Sequence, residues 1–172
     1  MRTGYIQVYT GEGKGKTTAA FGLAFRAAGA GLGVYIGQFV KGRGESLHQA
    51  AARFGEQMVV EQYGLEPFIR GEPSDAARET ASAGLSRASA IIASGAYDLV
   101  VLDEICVALH LRLVSLEKLL DTLRTRPSHV EVVLTGRHAP PALIDTADLV
   151  TEMRMVKHYY QRGVAARRGI EM

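Results

Sequence analysis

Short apolar runs alternate along the chain with longer amphipathic stretches. The runs are Tyr5–Tyr9, Val34–Val40, Met58–Val60, Leu99–Leu102, Val130–Leu134 and Leu149–Val150. Leu99-Val100-Val101-Leu102 is continuous rather than alternating, the pattern of a strand covered on both faces in a parallel sheet. Helices are predicted between the runs. Thr17–Ala30 is rich in small residues and meets stop signals at Gly29 and Gly31, and Gly44–Phe54 is a shorter candidate. Ser74–Ser94 opens on a capping serine and places Ala77, Ala81, Leu85, Ala88 and Ile92 on one face. Ser115–Leu123 repeats the theme with Leu116, Leu119, Leu120 and Leu123. This alternation predicts a three-layer α/β fold with a mostly parallel sheet of about six strands, in which ligands bind beyond the carboxyl ends of the strands.

Composition narrows the class. The chain has 172 residues, 47% of them apolar, which suits one domain spanning 1–172 with a core that needs no covalent staple. One cysteine, Cys106, excludes a disulfide scaffold and a cysteine-based zinc site within one chain. No apolar run approaches the roughly 18 residues of a membrane-spanning helix, and no signal-peptide core opens the chain. A soluble, cytoplasmic protein with no membrane partner is expected. The net charge of +2 is weak support for a nucleic-acid partner.

The first apolar run leads directly into Thr10-Gly11-Glu12-Gly13-Lys14-Gly15-Lys16-Thr17-Thr18, and a helix pattern starts at once. Strand, glycine-rich turn, Lys-Thr and helix is the context of a phosphate-binding P-loop. Its glycines let successive N–H groups turn inward, the helix start adds partial positive charge, Lys16 can reach terminal phosphates, and the Thr17 hydroxyl can ligate Mg²⁺. Thr10 stands where the strict pattern has its first glycine.

Leu99-Val100-Val101-Leu102-Asp103-Glu104 ends an apolar strand in two acids. At the carboxyl edge of a strand neighbouring the first, one acid would reach the cation at Thr17 and the other would hold water or support the site. The spacing leaves open which acid does which, and whether one only caps the following helix.

Other loops add candidates. Lys41-Gly42-Arg43-Gly44 is basic and glycine-rich, fitting either an anionic substrate or an ordinary solvated loop. Arg137, in Thr135-Gly136-Arg137-His138, should point toward the phosphate loop, whereas His138 reads as a polar loop residue. Arg26 reads by default as an exposed base, and Cys106 as a buried thiol. The basic tail from Arg154 either meets nucleic acid or folds over the nucleotide site, anchored by Tyr159, Tyr160, Val164 and Ile170.

Taken together, TGEGKGKTTAAFG with Arg26 after it, QFVKG (Gln38–Gly42), VVLDE (Val100–Glu104), TGR (Thr135–Arg137), DTADLVTEM (Asp145–Met153) and VKHYYQRGVAARRGIEM resemble the ATP:corrinoid adenosyltransferases. The likeness runs from Tyr5 to Ile170, and Thr10 is the residue that family normally carries. It implies a RecA-like P-loop fold, commonly a homodimer, working with a possible electron-donor protein. The implied reaction transfers the 5′-deoxyadenosyl group of ATP to the cobalt(I) of cob(I)yrinic acid a,c-diamide or cob(I)alamin, and inorganic triphosphate leaves.

The resemblance assigns Gly11, Glu12, Gly13, Lys14, Gly15, Lys16, Thr17 and Thr18 to the triphosphate. It gives Thr17 and Glu104, with Asp103 beside them, to Mg²⁺, and Arg26 and less directly Arg137 to the nucleotide. Lys16, Thr17 and Glu104 would then be the catalytic set. A corrin face needs apolar cover, for which Tyr63, Leu65 and Phe68 are candidates against ordinary core packing, with Lys41 on the neighbouring loop. Two features differ from the family pattern: only four residues precede Tyr5, where many members carry an extension over the corrinoid, and the segment Tyr63–Phe68 departs from their aromatic-rich stretch. The competing readings are a P-loop nucleoside kinase or ATPase, and a RecA-like ATP-binding regulatory module.

Overall fold

The alternating apolar runs become six parallel strands in a computed structural model that describes residues 3–40, 46–65 and 71–171. In chain order they are β1 (Ile6–Thr10), β2 (Val34–Phe39), β3 (Met58–Tyr63), β4 (Leu99–Asp103), β5 (Glu131–Thr135) and β6 (Leu149–Glu152). The spatial order is β3-β2-β4-β5-β1-β6. The helices are α1 (Lys16–Gly29), α2 (Ser46–Ala51), α3 (Asp75–Ser94), α4 (Ile105–His110), α5 (Leu116–Arg124) and α6 (Pro141–Thr146), with 3₁₀ turns at Ala52–Gln57 and Tyr159–Arg162.

Strand β4 shows why its run is continuous. Val100 and Leu102 enter a core with Ala81, Leu85, Ala88 and Ile92 of α3 and Leu119 and Leu123 of α5. Leu99 and Val101 enter a second core with Ala20, Phe21, Ala24, Ala27 and Ala28 of α1. All four strand residues are at most 1% exposed. Burying each such side chain is worth about 1.5–3 kcal/mol, which fixes the three-layer arrangement. Ser74 and Ser115 cap α3 and α5 by accepting the N–H groups of Ala77 and Lys118.

Two details depart from the expected pattern. β4 is not the neighbour of β1, because β5 lies between them and pairs with both. Strand order is set by which helices cover which face, and no local run encodes it. The helices α4 and α6, each six residues long, were too short to leave a periodic signal.

Candidate functional site

The loop after β1 closes around its own lysine. Lys16 is 7% exposed, and its Nζ donates to the carbonyl oxygens of Gly11 and Gly13, both at 2.7 Å. Burial pushes its pKa below the ordinary lysine value; Glu104 opposes that shift, Arg137 adds to it, and Glu12 and Asp103 oppose it. Gly15 occupies the N-cap of α1 with φ of 118°, and no side chain caps the helix. The first N–H groups of α1 are therefore not taken by a capping side chain, the arrangement that receives an anion.

The extension of β6 forms the back of this loop. The N–H of Met153 donates to Thr10 O at 2.8 Å, and the N–H of Gly13 donates to Met153 O at 2.6 Å. A Cβ at Gly13 would lie 2.7 Å from Met153 O and 2.8 Å from the carbonyl of Arg154. That glycine thus admits a neighbouring backbone, a role the motif alone did not reveal.

Asp103 is fully buried. Its Oδ1 accepts the hydroxyls of Thr17 at 2.9 Å and Thr135 at 2.7 Å, while its Oδ2 accepts Nε2 of Gln38 at 3.2 Å. Glu104 follows in the left-handed region, with φ of 59°, and its N–H donates to Thr135 Oγ1 at 2.9 Å. Glu104 sits at the N-cap of α4 without a side-chain capping bond, and it lines the cavity in front of the loop. Thr135 therefore holds both acids. Its placement in TGR was visible in the sequence, but a threonine ending an apolar strand carries no signal of which acid it meets.

That cavity has a volume of about 620 Å³, within the range of small-molecule sites. Gly13–Thr18 form its floor, Phe21, Gly22 and Phe25 of α1 one side, and Ser46 and Ala50 of α2 another. Arg137 lines it too, with its guanidinium 3.3 Å from the Glu12 carboxylate. Both partners are about half exposed, so the pair is weak and can be exchanged for a phosphate contact.

The tail closes the remaining side, with His158 and Gly169–Glu171 at the cavity. Its expected anchors divide. Tyr160 and Ile170 are 76% and 56% exposed, whereas Tyr159 donates its hydroxyl to Glu171. Arg167 pairs with the same carboxylate at 3.0 Å and lies over the Tyr159 ring. Arg167 and Tyr159 together hold the Glu171 carboxyl down at about 2. Hydrogen bonding to one carboxylate, rather than apolar burial, organises this segment.

Of the remaining candidates, those among the described residues do not line the cavity. Arg26 is exposed in the last turn of α1, roughly 15 Å along the helix from Lys16, and does not line it. Tyr63 packs on Phe39, with ring centroids 5.3 Å apart, and against α3 at Gly84, where a Cβ would fall 2.3 Å from its ring. Its hydroxyl bonds Tyr35 and Glu61. That is the core-packing reading. Leu65 is exposed and does not line the cavity, and Lys41 and Phe68 lie outside the described residues. Cys106 is buried, and its thiol is pushed up to about 12 by burial, with Glu104 adding. His138 stacks on His110 with centroids 4.2 Å apart. Among the described residues no helix is long and apolar enough to cross a membrane.

A glycine loop between strand and helix, a buried lysine, and a threonine–aspartate pair at the carboxyl end of a parallel sheet define a P-loop protein of the RecA-like class. The KaiC-like protein PH0186 from Pyrococcus horikoshii OT3 shares this fold, with a TM-score of 0.55 at 20% identity over 87% of this chain and 73% of that one. The chain belongs to the ATP:corrinoid adenosyltransferases: the family described as ATP:corrinoid adenosyltransferase BtuR/CobO/CobP matches residues 2–172. It is 39% identical over 171 residues to the corrinoid adenosyltransferase of Pseudomonas aeruginosa, covering 98% of this chain and 83% of that one. It is 37% identical over 175 residues to the corrinoid adenosyltransferase CobA of Salmonella typhimurium, covering 98% and 85%.

Proposed function

We propose that this protein transfers the 5′-deoxyadenosyl group of ATP to the cobalt(I) centre of a corrinoid and releases triphosphate. The observation that carries this is the pairing of a phosphate loop and a threonine–acid set on one cavity with family membership over nearly the whole chain. Cob(I)yrinic acid a,c-diamide and cob(I)alamin are the proposed acceptors. We place the enzyme in the cytoplasm as a homodimer, served by an electron-donor protein because cobalt must be reduced to attack.

The donor set fits Mg²⁺. Thr17 offers a hydroxyl and the acids offer carboxylates, all hard oxygen ligands. Among the described residues no three histidine, cysteine or acidic side chains converge as a metal cage. A cation held here would take its other ligands from phosphate and water, as Mg²⁺ commonly does. In our reading Glu104 faces that cation and Asp103 orients Thr17, because Thr17, Thr135 and Gln38 already donate to the buried Asp103. When bound, the cation lends positive charge to the departing triphosphate.

The chain's own residues then have defined tasks. The substrate cobalt supplies an electron pair to C5′, the C5′–O5′ bond breaks, and its pair leaves on triphosphate. No proton moves. Lys16, Arg137 and the N–H groups at the start of α1 stabilise negative charge where it accumulates. The tail residues His158 and Gly169–Glu171 limit water at the same cavity. For the corrin, Leu65, Lys41 and Phe68 remain the proposed contacts.

The test is incubation with ATP, Mg²⁺ and chemically reduced cobalamin or cobinamide. A light-sensitive adenosylcorrinoid with one triphosphate per turnover is expected. ADP without alkylation would replace this reading with a kinase or ATPase.

A further inference from the structure

Strand β2 is buried along its whole length, yet it carries an amide, Gln38, that is 0% exposed. An amide there costs free energy unless both ends are bonded, and an apolar residue would serve packing equally well. Both ends are bonded. In the strand register Gln38 stands opposite Asp103 on one side and Gln62 on the other. Its Nε2 donates to Asp103 Oδ2 at 3.2 Å, and its Oε1 accepts Nε2 of Gln62 at 3.3 Å. A row of polar side chains thus crosses the carboxyl end of the sheet from the edge strand β3 to Thr17.

The row has a direction. The bond from Gln62 selects the amide orientation that presents N–H groups to Asp103; a flipped amide would present its oxygen to the carboxylate. With Oδ2 engaged, the carboxylate plane is fixed and Oδ1 meets Thr17 at 2.9 Å. A hydroxyl has one proton and two lone pairs. Sending the Thr17 proton to Asp103 leaves a lone pair for a cation at the phosphate loop.

We propose that Gln38, steadied by Gln62, is a positioning residue that sets the Thr17–Asp103 geometry and so tunes divalent-cation affinity at the nucleotide site. This rests on the proposed role of Mg²⁺. Neither glutamine lines the cavity at the phosphate loop, so both act through Asp103.

The test is ATP binding titrated against Mg²⁺, with EDTA as the metal-free reference and thermal unfolding as the control for folding. Gln38→Leu should raise the Mg²⁺ concentration for half-maximal tightening roughly tenfold, and Gln62→Leu by a smaller factor, with ATP affinity in EDTA unchanged. Gln62→Lys, which keeps an N–H donor, should return the midpoint toward the parent value. An unchanged midpoint in folded Gln38→Leu overturns the proposal, as does equal weakening with Mg²⁺ and with EDTA. If Gln38→Leu fails to fold, Gln62→Leu decides: a parent-like midpoint overturns the proposal there too. If ATP binding by the unaltered protein ignores Mg²⁺, the metal reading itself fails and this proposal falls with it.

Discussion

The hydroxyl of Thr17 reaches Oδ1 of Asp103 at 2.9 Å although β5 separates β4 from β1. The start of α1 bridges that gap by lying across the strand ends. Asp103→Asn removes the charge to which Thr17, Thr135 and Gln38 donate and should cost about 1–3 kcal/mol in urea unfolding. Glu104→Gln should change stability by less than about 0.5 kcal/mol while raising the Mg²⁺ requirement about tenfold. Equal effects of the two substitutions on stability and on Mg²⁺ would sink this division of labour.

Lys16→Ala should weaken ATP binding at least about tenfold, since a charge-assisted bond to phosphate is lost. The pH dependence follows from the sign of its shift. Burial lowers the pKa in the free protein, so the lysine sheds its proton below the ordinary 10.5 and loses its attraction for phosphate. ATP affinity should therefore fall on the alkaline side before 10.5 is reached, and Lys16→Ala should lack that fall. Flat affinity up to pH 10, measured by fluorescence titration, would contradict it.

A pair of glycines on one segment separates loop geometry from helix propensity. Gly13→Ala drives a methyl group into Met153 O, which lies 2.7 Å from the position of the new Cβ. It should destabilise by about 1–3 kcal/mol and abolish tight ATP binding. Gly22→Ala meets nothing within 4 Å and lies inside α1, so it should stabilise by about 0.5–1 kcal/mol. Melting temperatures of the two variants should move in opposite directions.

Cys106 should resist a thiol reagent at pH 8 in the folded protein and react at once in denaturant. Its buried thiol is pushed up to about 12, which leaves almost no thiolate. Rapid labelling of the native protein would show that α4 opens.

Much of this was legible because neighbouring residues impose it. Leu99–Leu102 announced two-sided burial, Ser74 and Ser115 announced helix starts, and Gly11–Thr18 announced a phosphate loop; each signal is local. Strand order is not legible, since it depends on non-local packing: the acid-bearing run reads as a neighbour of the first strand, whereas β5 lies between β4 and β1. Tyr63 read equally as ligand cover or core; the missing side chain at Gly84, 21 positions away, admits its ring to the core. Gln38 and Thr135 looked like polar residues at the ends of apolar strands. Only the register that puts Asp103 between them gives them a task.

The register also sets how far along the chain each strand must reach for its partners. Strands β3, β2 and β4 can pair once residue 103 is made, but β1 finds its partners only in β5 and β6, with Ile6 opposite Val132 and Thr10 opposite Glu152. Loop closure over so long a span is the slow part of building such a sheet. A chain cut before Met153 would carry the whole nucleotide motif without the backbone that bonds to Thr10 and Gly13. The phosphate loop thus takes its finished shape only when a strand far along the chain lies against it.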